Sequence, residues 1–138
     1  MKLITKNTDY AVRALLVLGG HPQEYISARQ VALEQLIPYQ YVRKLLRKLM
    51  HYDLVVSRDG AGGGFTLKSS PSKIKLADII RIFQGDIQLS ECMFRKKICP
   101  QRSRCVLRTH IMSIERLVEK EFNGITLESM LKELKGKK

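Results

Sequence analysis

Apolar residues recur along this chain in two rhythms, and the change between them sets out the fold. Ala11, Ala14, Leu15 and Leu18 fall at helical spacing, with Val12 and Leu16 widening the stripe, so a helix is predicted over residues 8–20. Gly19-Gly20 and Pro22 end it. Ser27 opens a second helix, and Gln30 three residues on makes a capping box. Val31, Ala32 and Leu33 supply its apolar content, and Ile37-Pro38 breaks it. Pro38 then suits the first turn of a third helix. That helix sets Val42, Leu45, Leu46 and Leu49 on one face and Gln40, Arg43, Lys44, Arg47 and Lys48 on the other. Two helices across a short turn, the second strongly basic, make a helix-turn-helix signature.

The rhythm next becomes β-like. Residues 54–58 and 64–68 read as strands joined by Asp59-Gly60-Ala61-Gly62-Gly63. A hairpin with a glycine-rich tip, placed after a basic helix, reads as a wing. A phosphate-binding loop is excluded: the Gly-Lys-Ser/Thr ending is missing and no helix follows directly. Helical spacing returns over residues 76–83, with Leu76, Ile79, Ile80 and Phe83 on one face. Residues 88–104 show no clear period. A long helix then starts near Cys105, with Leu107, Ile111, Ile114, Val118 and Phe122 in a stripe that can pack on the domain or on a second copy. Asn123-Gly124 stops it, and a last helix runs from about Leu127 to Leu134.

Charge narrows the partner. The chain of 138 residues has a formal net charge of +12. A polyanion is the leading explanation and nucleic acid the commonest one, against a cationic surface that is merely solvated. Near the start of the third helix stand Tyr39, Gln40, Tyr41, Arg43 and Lys44, where a recognition helix meets base edges. Gln40 can pair with adenine and Arg43 with guanine. Lys44, Lys48 and the tyrosines suit phosphates. Arg58, on the thin wing, can enter a minor groove.

The cysteines carry the remaining chemistry. Cys92, Cys99 and Cys105 are the only three in the chain, spaced C-x6-C-x5-C among Arg95, Lys96, Lys97, Arg102 and Arg104. Thiols crowded by cations favour the thiolate, the form that binds metal or senses redox change. An odd count argues against a disulfide framework. The first residues lack a secretory pattern, and no apolar run is long enough to span a membrane, so a cytoplasmic protein is expected.

Two stretches bring a resemblance. Thr8-Asp9-Tyr10-Ala11-Val12-Arg13-Ala14-Leu15 is similar to the first helix of the Rrf2 family of bacterial regulators, and Gly60-Ala61-Gly62-Gly63-Gly64-Phe65-Thr66-Leu67 to that family's wing. The three-cysteine segment resembles its iron–sulfur members of the IscR, NsrR and RirA type. The resemblance covers about residues 1–134. It implies a winged helix-turn-helix DNA-binding domain over residues 1–84. Residues 85–138 would then hold a cysteine-containing cluster loop and a dimerisation helix. It also implies a homodimer on double-stranded operator DNA, with an iron–sulfur cluster held by Cys92, Cys99 and Cys105. Three thiols leave one ligand position open. IscR-like members place a histidine three residues after the last cysteine; Arg108 stands there, so the pattern departs, and His110 lies two residues farther on. NsrR-like members use an aspartate of the first helix from the other subunit. Asp9 matches it and tilts the expectation toward [4Fe-4S] over [2Fe-2S]. As a plain residue, Asp9 would simply favour its helix dipole.

The expected function is thus a DNA-binding repressor switched by a cluster that senses nitric oxide, redox state or iron. The alternatives are a cluster-free thiol sensor on the same fold and a tetrahedral zinc site. A thiol–disulfide oxidoreductase would need a C-x-x-C, which is missing. His21, His51 and His110 lie far apart in sequence and no serine or carboxylate pairing suggests hydrolysis, so an enzyme is not expected.

Overall fold

The computed structural model describes residues 2–89 and 103–137. Thr5 caps the first helix, α1 (Lys6–Gly19), by accepting the Thr8 N–H, so α1 begins two residues earlier than the apolar stripe indicates. Ser27 caps α2 (Ala28–Gln35) by accepting the Gln30 N–H. The expected reciprocal half of that box is replaced, because the Gln30 side-chain amide donates to Glu34 (2.9 Å). Leu36 closes α2 in the left-handed region at φ 54°, and the chain turns at once into α3 (Tyr39–His51). Pro38 is the cap residue of α3 rather than its first helical residue. Leu33 is a correction: it stands 72% exposed and adds nothing to the core.

The wing consists of β1 (Val55–Arg58) and β2 (Gly64–Leu67), antiparallel, with Val55 opposite Leu67 and Arg58 opposite Gly64. A backbone bridge ties it to the start of α2. Ile26 N donates to the Phe65 carbonyl (2.9 Å), and Phe65 N donates to that of Ile26 (2.8 Å). The approach is so close that a Cβ on Gly64, whose φ is +149°, would stand 2.5 Å from the Ile26 carbonyl. Only glycine fits there.

A single 3-10 turn (Pro71–Lys73) leads to α4 (Leu76–Gln84), which lies against α1. The long α5 (Val106–Gly124) packs on α4, and α6 (Leu127–Gly136) returns to α1. The core is where α1, α2 and α3 converge: Ala11, Leu15, Val31, Val42, Leu46 and Leu49 are fully buried. Ile79 of α4 and Leu127 of α6 join the same cluster. The last helix is therefore stitched to the first core, and Leu127 N donates to the Ile74 carbonyl (2.8 Å) in support. The expected mainly helical fold with a small hairpin wing is the one observed. Among the described residues no helix is long and apolar enough to cross a membrane.

Candidate functional site

With its apolar face sealed into the core, α3 offers its other face to solvent. Helical spacing divides that face into two edges around Gln40, which has Arg43 three residues on and Lys44 four residues on. Tyr39, Arg43 and Arg47 form the edge nearer the wing. With Arg58, Asp59 and Phe65 they line a groove between α3 and the hairpin. Tyr41, Lys44 and Lys48 form the opposite edge, beside α1 and α4. All seven residues singled out for nucleic acid, Tyr39, Gln40, Tyr41, Arg43, Lys44, Lys48 and Arg58, are exposed.

Three cations on the wing side, Arg29, Arg43 and Arg58, lie over aromatic rings. The Arg43 guanidinium carbon lies 5.7 Å from the Tyr39 ring centroid, and that of Arg29, from α2, lies 4.9 Å from the same ring. Arg58 stacks on Tyr25 at 4.2 Å, and its Nη2 donates to the Gly62 carbonyl (2.9 Å). A guanidinium stacked on a ring is attracted by the ring quadrupole and loses part of its rotamer freedom before any partner arrives. Arg29, Arg47 and Tyr25 are missing from the sequence-based selection. Basic patterning on α3 could have drawn in Arg47. Nothing local marks Tyr25, which reaches Arg58 because the neighbouring Ile26 is bridged to the wing.

Of the proposed cluster ligands, Cys92 and Cys99 lie outside the described residues, with most of the basic segment around them. Cys105 is the cap residue of α5: it is partly buried, and its Sγ accepts the backbone N–H of Arg108 (3.3 Å). Asp9 stands in the first turn of α1, about half exposed, with its carboxylate 3.1 Å from Arg13. His110 is exposed on α5. Among the described residues no three histidine, cysteine or acidic side chains gather closely enough to hold a metal.

Where the chain enters the cysteine segment, Leu89 N donates to Glu115 of α5 (2.7 Å). Arg81 of α4 pairs with Glu119 of α5 and with Asp78. Gln84 clamps the N-terminal segment, accepting from Thr5 N (2.9 Å) and donating to the Leu3 carbonyl (3.1 Å). The start of α1, the end of α4 and the middle of α5 are thus linked to one another by hydrogen bonds and an ion pair.

α5 itself is unlike the other helices. No residue of it is buried in the described chain. Val106, Leu107, Ile114 and Leu117 are 78%, 64%, 46% and 62% exposed. Of the predicted stripe, Ile111, Val118 and Phe122 are partly covered, whereas Leu107 and Ile114 face outward.

The comparisons agree with this architecture. The Rrf2 family, described as iron-dependent transcriptional regulator, matches residues 4–133. The transcriptional repressor NsrR of Streptomyces coelicolor is 27% identical over 130 residues, 93% of this chain and 87% of its own. Among solved structures, IscR of T. potens superposes with a TM-score of 0.78 at 27% identity, covering 97% of this chain and 88% of that one. CymR, the global cysteine regulator of B. subtilis, superposes with a TM-score of 0.79 at 25% identity, covering 96% and 98%. These relatives are regulators of transcription rather than enzymes. A helix-turn-helix with a glycine-tipped wing and a long C-terminal helix, matched from end to end, places the chain in the Rrf2 family of transcriptional regulators.

Proposed function

We propose that this chain is a homodimeric, cytoplasmic DNA-binding repressor whose grip on its operator is switched by an iron–sulfur cluster. The groove between α3 and the wing carries the DNA part of the reading. Arg43 and Arg58 in it are partly immobilised in advance by their rings, which lowers the ordering cost of binding. Gln40 and Arg43 read bases, Tyr39, Tyr41, Lys44 and Lys48 meet phosphates, and Arg58 enters the adjoining minor groove. The open apolar residues of α5 are suited to the same helix of a second copy, so that two recognition helices address two half-sites one turn of DNA apart. On this reading residues 1–84 are the DNA-binding unit and residues 85–138 the cluster and dimer unit.

The donor set suits such a cluster: three thiols in a basic segment and a carboxylate from the partner's first helix. Cys92, Cys99, Cys105 and Asp9 would hold it, with [4Fe-4S] favoured by the aspartate. When bound, the cluster supplies a centre that nitric oxide, oxygen or iron shortage can remodel. The protein's share is mechanical. The Cys105 sulfur also caps α5, and Asp9 stands on the helix that Gln84 clamps to α4. A change at Asp9 would act on α1, which packs on α3, and a change at Cys105 would reach α1 through α5 and α4. A coupling of about 1–3 kcal/mol suffices for regulation.

The test is an absorption spectrum with iron and sulfide assay on protein purified without oxygen, followed by DNA titration of the loaded and stripped forms. A brown protein whose DNA affinity changes on stripping is expected. Asp9→Ala should leave the fold intact and make the cluster labile. The second reading, a thiol sensor without a cluster, draws on the likeness to a global cysteine regulator. A colourless, iron-free protein after reconstitution would favour it, and zinc content would favour a structural zinc site.

A further inference from the structure

The lysine edge of α3 continues onto α1. Lys6 is the first residue of that helix, and its Nζ lies 5.6 Å from the Tyr10 ring centroid and 5.8 Å from that of Tyr41. The two rings meet edge to face at 6.2 Å, one from α1 and one from α3. Beside them runs a groove walled by Asn7, Tyr41, Lys44, Lys48 and Phe83, with Lys48 Nζ 5.2 Å from the Phe83 ring. None of these lining residues is acidic. Among the described residues no carboxylate pairs with Lys6, Lys44 or Lys48. A lysine in the first turn also opposes the dipole of its own helix. Lys44 and Lys48 in the groove, with Lys6 reaching the Tyr41 ring on its wall and none of the three in an ion pair among the described residues, favour an anion.

We propose that Lys6 is a DNA-backbone contact, so that the DNA interface extends from α3 onto the first turn of α1, with Tyr10 and Tyr41 as positioning residues for the Lys6 ammonium. The inference rests on the DNA-binding reading above. The occupant is a duplex phosphate because the groove is continuous with α3. Gln40 lies between an arginine edge and a lysine edge, as a helix in a major groove lies between two phosphate walls. Arginine stacks then serve one wall, and the Lys6–Lys44–Lys48 cluster the other. Lysine acts there as a point charge that fixes position without reading sequence.

The test is fluorescence anisotropy of the full chain on two labelled duplexes of about 30 base pairs, one of random sequence and one selected from a random pool by the wild-type protein. Salt is varied between about 50 and 200 mM. Lys6→Gln should weaken binding several-fold, by a similar factor on both duplexes. It should flatten the plot of log affinity against log salt by about one per protomer. Lys6→Arg should retain most of the slope, and Tyr41→Leu should lose part of it. Circular dichroism melts of each variant confirm that the fold is intact. A wild-type slope for Lys6→Gln overturns the proposal. So does a Lys6-dependent affinity for a polyglutamate peptide with DNA binding unchanged. If Arg58→Ala weakens DNA binding and Lys6→Gln does not, this inference alone fails; if the wild type binds neither duplex, the DNA reading fails with it.

Discussion

α3 and α5 are both amphipathic, yet they end in opposite states. α3 buries Val42, Leu45, Leu46 and Leu49 almost completely, whereas α5 buries no residue in the described chain. The difference lies in where each helix sits. α3 follows a short turn after α2 and is pressed against α1, so its apolar stripe is consumed within one copy and its cationic face stands free. α5 touches the rest of the chain mainly through α4. Its outward Val106, Leu107, Ile114 and Leu117 would be an exposed apolar strip unless a second copy covers them. One helix completes its own copy's core and turns charge outward; the other leaves apolar side chains outward, which the proposed dimer would cover.

Paired substitutions break this comparison most sharply. Leu46→Ala removes a side chain with no exposure and should cost about 2–5 kcal/mol. A denaturant titration should show the loss at every protein concentration. Leu117→Glu, at a residue 62% exposed, should instead leave the monomer's helical spectrum intact and shift sedimentation from dimer to monomer. A Leu117→Glu protein that stays dimeric at micromolar concentration would move the dimer contact off α5.

The next largest effect separates α3 from the wing. Gly64→Ala forces a β-carbon onto the Ile26 carbonyl at a positive-φ backbone position and should cost about 2 kcal/mol or more. Hydrogen exchange should localise the damage to the Ile26–Phe65 bridge. The dimer should persist, because α5 is remote from that bridge in the chain's packing. Protection of the Phe65 amide equal to wild type would show that the strand shifts at no cost.

These contrasts also mark how far the sequence could be read. The stripe of α3 was legible because its apolar residues are near neighbours along one helix and their burial is local in cause. The wing was legible from Gly60 to Gly64, where turn chemistry demands glycine. Three features were not. α1 starts at Lys6 because the Thr5 cap, and not the apolar stripe, sets the first turn. Leu33 looked like core but faces out, since α2 is short and buries only the side holding Ala28, Val31 and Ala32. Leu127 is buried in the core cluster that α1 shares, more than a hundred residues from α1 in sequence, and no local pattern announces its place there. At the site, the cations of α3 were legible from charge. The ring contacts that extend the two edges beyond α3, Tyr25 under Arg58, Tyr10 beside Lys6 and Phe83 beside Lys48, arrive from other elements and have no local signal.

Within the arginine edge, Arg58→Ala should weaken specific DNA binding by about 1–3 kcal/mol at fixed salt. Tyr25→Leu should show a smaller part of that loss, since it removes the stack at 4.2 Å and leaves the charge. The double variant should then be no worse than Arg58→Ala alone. Additive losses would mean that Tyr25 contributes independently of Arg58.

The smallest effect concerns the turn that delivers α3 to its place. Leu36 adopts φ 54° with 89% of its surface exposed, so its side chain gains little from packing while its backbone bears left-handed strain. That strain is about 1–2 kcal/mol for an L-residue. Leu36→Gly removes it, and glycine's extra freedom in the unfolded chain returns roughly 0.5–1 kcal/mol. A net gain of about 0.5 kcal/mol is expected, a rise in Tm of about 1–2 °C. A fall in Tm would mean that the exposed leucine is covered in the assembled molecule. Repeating the melt at two protein concentrations separates the cases, because a contact with a second copy makes the loss concentration-dependent and a purely local turn effect does not.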